Sequence, residues 1–249
     1  MTGVQTCALP ISCLNWAVVS GVADVSAWEM EAHQGIARHA VSTLPEPLRG
    51  ALETQLVALL HAVIEPDINR VDDHRLVLTI IRGTPPQSGG AWALERFAKQ
   101  AERFIREGRD ITDPAVIMAL GQAAHFAQDL NVPLHTTWGE GPVHQAYEAV
   151  AYFNDWPGTG GGYGYRGFHL VKKYGCFAHD TAKRSNTFVQ AALAVPPDPK
   201  AIRRTRDDAV NDTATLWLSI IYRALGPEES LKRFGIPSPV KEIGQGWFC

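Results

Sequence analysis

Cysteine is scarce in this sequence, and its four copies, Cys7, Cys13, Cys176 and Cys249, include no C-x-x-C pair. That excludes zinc ribbons and thioredoxin-type redox sites. Long apolar runs are missing as well: no stretch reaches the roughly 18 residues that a helical membrane span requires. Basic residues do not gather into runs, and 23 Lys and Arg against 26 Asp and Glu leave a net charge of −3. Proteins built around a polyanion carry a basic stripe, and this chain has none. Strand-like alternation is nearly absent and there is no internal repeat. What remains is a chain of 249 residues, 45% hydrophobic, long enough to bury one sizeable core.

Two segments at the N-terminus stand apart from that core. Residues 1–12, opening MTGVQTCALPI, resemble the translation of a sequencing-library adapter and are set aside from fold reasoning. Residues 13–27 read as the back half of a secretory signal peptide, an apolar stretch ending in the small residues Val25-Ser26-Ala27. Cleavage after Ala27 makes Trp28 the first mature residue, and the expected location is secreted or periplasmic.

The expected fold is all-α, one helical domain over residues 28–249. Apolar residues recur at helical spacing over Glu46–Ile64 and again over Ala91–Gly108. Asp113 followed by Pro114 is a strong helix start, and Pro133 is the matching stop. Further helices are expected over His144–Phe153, Phe168–Ala194 and Lys200–Leu225. The glycine-rich WPGTGGGYGYRG lacks the Gly-Lys-Ser/Thr of a phosphate loop and follows no strand, so it reads as a surface loop of the kind that borders active sites.

Chemistry concentrates between residues 125 and 148. His125 and Asp129 are four apart on one helix, so both side chains leave the same face. Asn131-Val132-Pro133 turns the chain and delivers His135. His144 and Glu148 repeat the i, i+4 spacing. Imidazole with carboxylate suits zinc, and a rigid helix presents two such ligands without strain.

LGQAAHFAQDLNVPLHTTW resembles the central motif of bacterial zinc-dependent phospholipases C and of the related single-strand nucleases. The resemblance implies three zinc ions. Asp129 bridges two of them, and His135, His144 and Glu148 hold the third. It also implies that Trp28, in AWEMEAHQGIARHAVSTL, binds through its terminal amine and carbonyl. His33 joins it, with His39 as the competing histidine. The remaining pair comes from IEPDINRVDDHRL. There His74 serves with Asp67, or with Asp72 or Asp73 in its place. Asp67 is expected in a loop, and in the implied mechanism it also orients or deprotonates the attacking water.

The activity so implied is hydrolysis of a phosphodiester. Glu148, in VHQAYEAV, resembles the phospholipase branch and favours a phospholipid substrate, with transient contact at a membrane surface. The short step from Trp28 to His33 resembles the nuclease branch. A nuclease or 3′-nucleotidase is therefore the alternative, with Trp138, Tyr152, Trp156, Tyr163 and Tyr165 available to stack bases. A second alternative is a non-catalytic, zinc-stabilised protein, which closed four-ligand sites would favour.

Overall fold

The Asp113-Pro114 start signal opens the central helix of a computed structural model, which describes residues 30–69, 74–78, 88–137, 144, 147 and 165–245. Asp113 Oδ1 accepts from the Ala115 N–H at 2.8 Å, and Pro114 takes the first helical position, where its missing donor costs nothing. In chain order the helices are α1 (Met30–Ser42), α2 (Glu46–Thr54), α3 (Leu56–Asn69), α4 (Gly89–Arg106) and α5 (Pro114–Asp129). A 3₁₀ turn (Pro133–Thr136) follows, then β1 (His169–Val171) and helices α6 (Tyr174–Asn186), α7 (Val189–Ala192), α8 (Pro199–Leu225) and α9 (Pro227–Phe234), and last β2 (Lys241–Ile243). The fold is all-α apart from the short parallel pair β1–β2, in which His169 registers with Lys241.

Helix α5 lies at the centre, packed on α3, α4 and α8. It is buried nearly all round, as its composition requires, with alanines at 119, 123, 124 and 127 and Phe126 fully enclosed. Gly121 sets its distance from α3. A Cβ there would overlap Ala62 Cβ and approach Ala62 C to 2.8 Å and Val63 N to 2.9 Å. Helix α8 crosses α1, α4 and α5, and its start repeats the device of α5: Asp198 accepts from the Lys200 N–H at 2.9 Å ahead of Pro199.

Two expected helices differ from those observed. Glu46–Ile64 is two helices, broken at Gln55, where the Thr54 hydroxyl donates back to Ala51 O at 2.6 Å and competes with the helical ladder. The second of them, α3, runs past Ile64 through Pro66, so Asp67 sits on its last turn and not in a loop. Phe168–Ala194 opens as strand β1. Side chains of α8 take its backbone groups: Val171 N–H donates to Ser219 Oγ at 2.9 Å, and Arg223 donates to Val171 O at 3.2 Å. Helix α9 was not anticipated.

Two buried polar networks brace the helices. Glu102 on α4, 3% exposed, accepts from Tyr174 on α6 at 2.7 Å and from Arg223 on α8 at 3.1 Å, and pairs with Arg106. Asp212 on α8 accepts from Asn131 at 2.9 Å and pairs with Arg184 of α6, which also donates to Asn131 at 3.2 Å. Cys176 is disulfide-bonded. No helix among the described residues is long and apolar enough to cross a membrane. The leader and adapter segments, Trp28, Asp72, Asp73, Glu148, most of the glycine-rich stretch and the rest of the helix expected over His144–Phe153 lie outside the described residues. So do Cys249, Trp138, Tyr152, Trp156 and Tyr163.

Candidate metal centre

Helix α5 delivers His125 and Asp129 to a pit that α1 and α3 close from the other side. His125 is fixed by its own ring: Nδ1 bonds to the Val63 carbonyl of α3 at 2.8 Å, which leaves Nε2 facing inward. Gly121, one turn earlier, permits that approach of α3. Asp67, one turn beyond Val63, enters the same pit with its side chain 2% exposed.

His74 arrives from the extended segment 74–78, pinned between two neighbours. Leu76 and Leu78 donate to His135 O at 3.2 Å and Thr136 O at 3.1 Å, while Arg75 O accepts from Gly90 N–H at 3.0 Å. Gly90 is required there, because a Cβ would lie 2.7 Å from His74 O.

Asp129 organises the pit by turning its two oxygens to different partners. Oδ2 lies 2.7 Å from His74 Nδ1 and 3.1 Å from His125 Nε2. Oδ1 lies 3.4 Å from His33 Nε2 and 3.8 Å from His135 Nδ1. Asp67 spans both sides, its Oδ1 at 3.5 Å from His74 and 3.6 Å from His125, its Oδ2 at 3.8 Å from His33. His74 Nδ1 and His125 Nε2 are themselves 2.9 Å apart. His144 sets its ring edge-on to His135, centroids 4.9 Å apart.

This donor set fits zinc. Two groups, His33/Asp67/His125 and His74/His125/Asp129, each bring one ligand atom per residue to within 4.8 Å of the others. Ligand atoms around a tetrahedral zinc at about 2.0–2.2 Å stand about 3.3–3.6 Å apart, close to the spacings here. His33 Nε2, Asp67 Oδ2 and Asp129 Oδ1 are buried without a hydrogen-bond partner among the described residues. Buried polar atoms of native proteins are nearly always satisfied, so three in one pit point to a cation.

No family model matches this chain, and no curated protein does. Solved structures do match. The alpha-toxin of Clostridium absonum aligns with a TM-score of 0.55 at 18% identity, over 80% of this chain and 66% of the toxin. The alpha-toxin of Clostridium perfringens, from avian strain SWCP, aligns at 0.55 and 16%, over 78% and 62%. The fold is that of the clostridial alpha-toxins. This chain spans less than two thirds of the length of either toxin.

Within that alpha-toxin fold the pit has strong and opposed electrostatics. Burial pulls the pKa of His33 down, but the neighbouring carboxylates of Asp129 and Asp67 outweigh it and push it up to about 9. His74 is raised by the same contest, Asp129 prevailing over burial. His125 has no such net support, and burial carries it down to about 4. Burial pushes Asp67 up to about 7, whereas His125, His135 and His74 hold Asp129 well below the usual carboxylate range despite its burial. Such divergence among neighbours marks functional sites.

Of the residues expected from sequence, His33, Asp67, His74, His125, Asp129 and His135 converge, and His144 stands beside His135. His39 belongs to neither donor group, and the charges that act on its ring are those of Arg206 and Arg38. Sequence reasoning passed over Gln128, whose Oε1 lies 2.7 Å from His33 Nδ1. The available signal was a glutamine directly before Asp129 on a mostly apolar helix. Asn186 was passed over too: it donates to Thr136 Oγ1 at 2.9 Å and so steadies the turn carrying His135.

Proposed function

We propose that this chain is a zinc-dependent phosphodiester hydrolase of the phospholipase C type. The observation that carries the reading is Asp129, fully buried, with one oxygen turned to His33 and the other to His74 and His125. A carboxylate so placed suits two metal ions held side by side, the arrangement that clamps a phosphoryl group. When bound, zinc supplies Lewis acidity, neutralises phosphate oxygens and lowers the pKa of a coordinated water toward about 7. Asp67, His74, His125 and Asp129 would hold one ion. His33 and Asp129, with Trp28, would hold a second, and His135, His144 and Glu148 a third.

The protein's own groups have distinct tasks. Asp129 fixes the distance between the two clusters. Asp67 Oδ2 is an acceptor without a partner among the described residues, and it takes the proton of the attacking water. The buried walls, Val63 and Phe126 among them, keep bulk water from the reacting phosphorus and strengthen each charge interaction.

Phospholipid is the preferred substrate on the strength of Glu148 and its context, and the clostridial alpha-toxin fold is consistent with it. The purified protein should release phosphorylated head group from phosphatidylcholine vesicles, lose that activity in chelator and regain it with Zn²⁺. Rapid cleavage of single-stranded DNA without head-group release would make it a nuclease instead, the outcome that the short Trp28–His33 step favours. Zinc uptake without hydrolysis of either substrate would leave a zinc-stabilised protein.

The terminal amine of Trp28 belongs to the same proposal. A free α-amine has a reference pKa of about 7.7–8.0, so near neutrality enough is unprotonated for zinc to capture, whereas a peptide nitrogen is a poor ligand. A protein beginning at Trp28 should therefore carry one more zinc per chain than one beginning at Val25, and turn over faster. Equal zinc and equal turnover would leave Trp28 an ordinary aromatic.

A further inference from the structure

A zinc ligand must present a lone pair, and an imidazole does so only from its unprotonated nitrogen. The two innermost histidines of α1 and α5 meet this requirement by different means. His125 is held by a main-chain carbonyl, Val63 O, which no substitution can remove. His33 is held by a side chain.

Gln128 and His33 are both fully buried, 95 residues apart in sequence, and Oε1 lies 2.7 Å from Nδ1. The amide is anchored at its other end, Nε2 donating to Thr213 Oγ1 of α8 at 3.4 Å. An amide oxygen only accepts, so Nδ1 must carry the proton and donate. The opposite nitrogen, Nε2, then faces Asp129 Oδ1 at 3.4 Å and Asp67 Oδ2 at 3.8 Å. Reversing the amide would place its N–H against Nδ1 and force the proton onto Nε2, pointing it into the pit. One turn of α5 thus supplies in adjacent residues the carboxylate that shares the metal and the acceptor that selects the tautomer of its partner.

We infer that Gln128 is a positioning residue that holds His33 in its Nδ1–H form and so makes Nε2 a metal ligand. This rests on the zinc reading above. It adds that the group bonded to the far nitrogen of His33 is a neutral amide from the helix position next to Asp129, tied through Thr213 to α8. Because the amide bridges α1 to α8, it fixes the ring's orientation as well as its proton.

The test uses Zn²⁺ and Co²⁺ on the purified chain, with wild type, Gln128→Met and Gln128→Glu compared after metal removal. Methionine keeps the length and loses the acceptor. Glutamate keeps the acceptor, and the Thr213 hydroxyl can donate to its second oxygen. Gln128→Met should weaken the binding of one zinc equivalent about 10–100-fold, the usual cost of losing an outer-shell partner, and should alter the visible Co²⁺ spectrum. Gln128→Glu should restore both. In the zinc-loaded wild type, ¹⁵N resonances of His33 should show a protonated Nδ1 and an unprotonated Nε2, a reading that needs no variant to fold. The opposite tautomer overturns the inference, and so does wild-type affinity with an unchanged Co²⁺ spectrum in Gln128→Met. Failure of the wild type itself to take up Zn²⁺ would instead remove the zinc reading beneath it.

Discussion

An Asp129→Asn protein is expected to keep its fold, to lose zinc from two positions at once, and to lose more than about 100-fold in phosphodiester hydrolysis, beyond the usual range for outer-shell changes. The shape is nearly conserved, but the chemistry is not. Asparagine offers one oxygen and one NH₂ where aspartate offers two anionic oxygens, so either His33 or the His74/His125 pair would meet a donor. The fold survives because the surrounding imidazoles can shed their protons when the carboxylate is gone. Metal analysis after dialysis against buffered Zn²⁺ reads the effect directly, with thermal unfolding as the check on folding. Glu102→Gln is the control: it removes a carboxylate just as enclosed but outside the ligand set, and should leave zinc content unchanged. A full zinc complement in Asp129→Asn would show that the carboxylate does not bridge.

The second large effect comes from a residue with no side chain. Gly121→Ala should destabilise the protein by about 1–3 kcal/mol, the typical cost of overpacking, because its Cβ meets Ala62 and Val63 backbone and α3 must move away. Val63 O holds the His125 ring and Asp67 lies one turn further on, so that movement separates two ligands from Asp129 together. Zinc affinity should fall as well, by about 10–100-fold. Gly50→Ala on α2 is the matched substitution in open space, with nothing within 4 Å, and should be neutral or raise stability by up to about 1 kcal/mol. Urea unfolding in chelator measures the first quantity and zinc titration the second. Wild-type values for Gly121→Ala in both would mean that the α3–α5 distance does not govern the site.

What the sequence disclosed and what it concealed divide along physical lines. That His125 and Asp129 share one face of α5 was legible because their i, i+4 step follows from helix geometry, and Asp113-Pro114 marked where that helix begins. His33 and His39 lie on the same helix, and periodicity alone did not exclude His39; only packing against α5 turned His33 inward. Asp67 was misplaced because the apolar spacing was followed only to Ile64, whereas α3 accommodates Pro66 in its final turns. The break at Gln55 depends on one hydroxyl bonding backward, and β1 and β2 are too short to show alternation. Gln128 was invisible because its partner lies on another helix, 95 residues away.

That separation has a bearing on how the protein reaches its working state. His74 and Asp129 are 55 residues apart, and the ligands extend from α1 to the turn after α5. A nascent or half-folded chain therefore owns only local sets such as His125/Asp129/His135 or Asp67/His74, each too small to complete a site. Tight capture must wait until distant segments have met, and contacts of that range form late. Affinity confined to the finished fold converts fully into stability, about 2.7 kcal/mol for each ion present at a hundredfold excess over its dissociation constant. On the zinc reading, metal loading would act as a proofreading step: correctly assembled copies would be locked, and misassembled ones would remain empty and open to proteolysis.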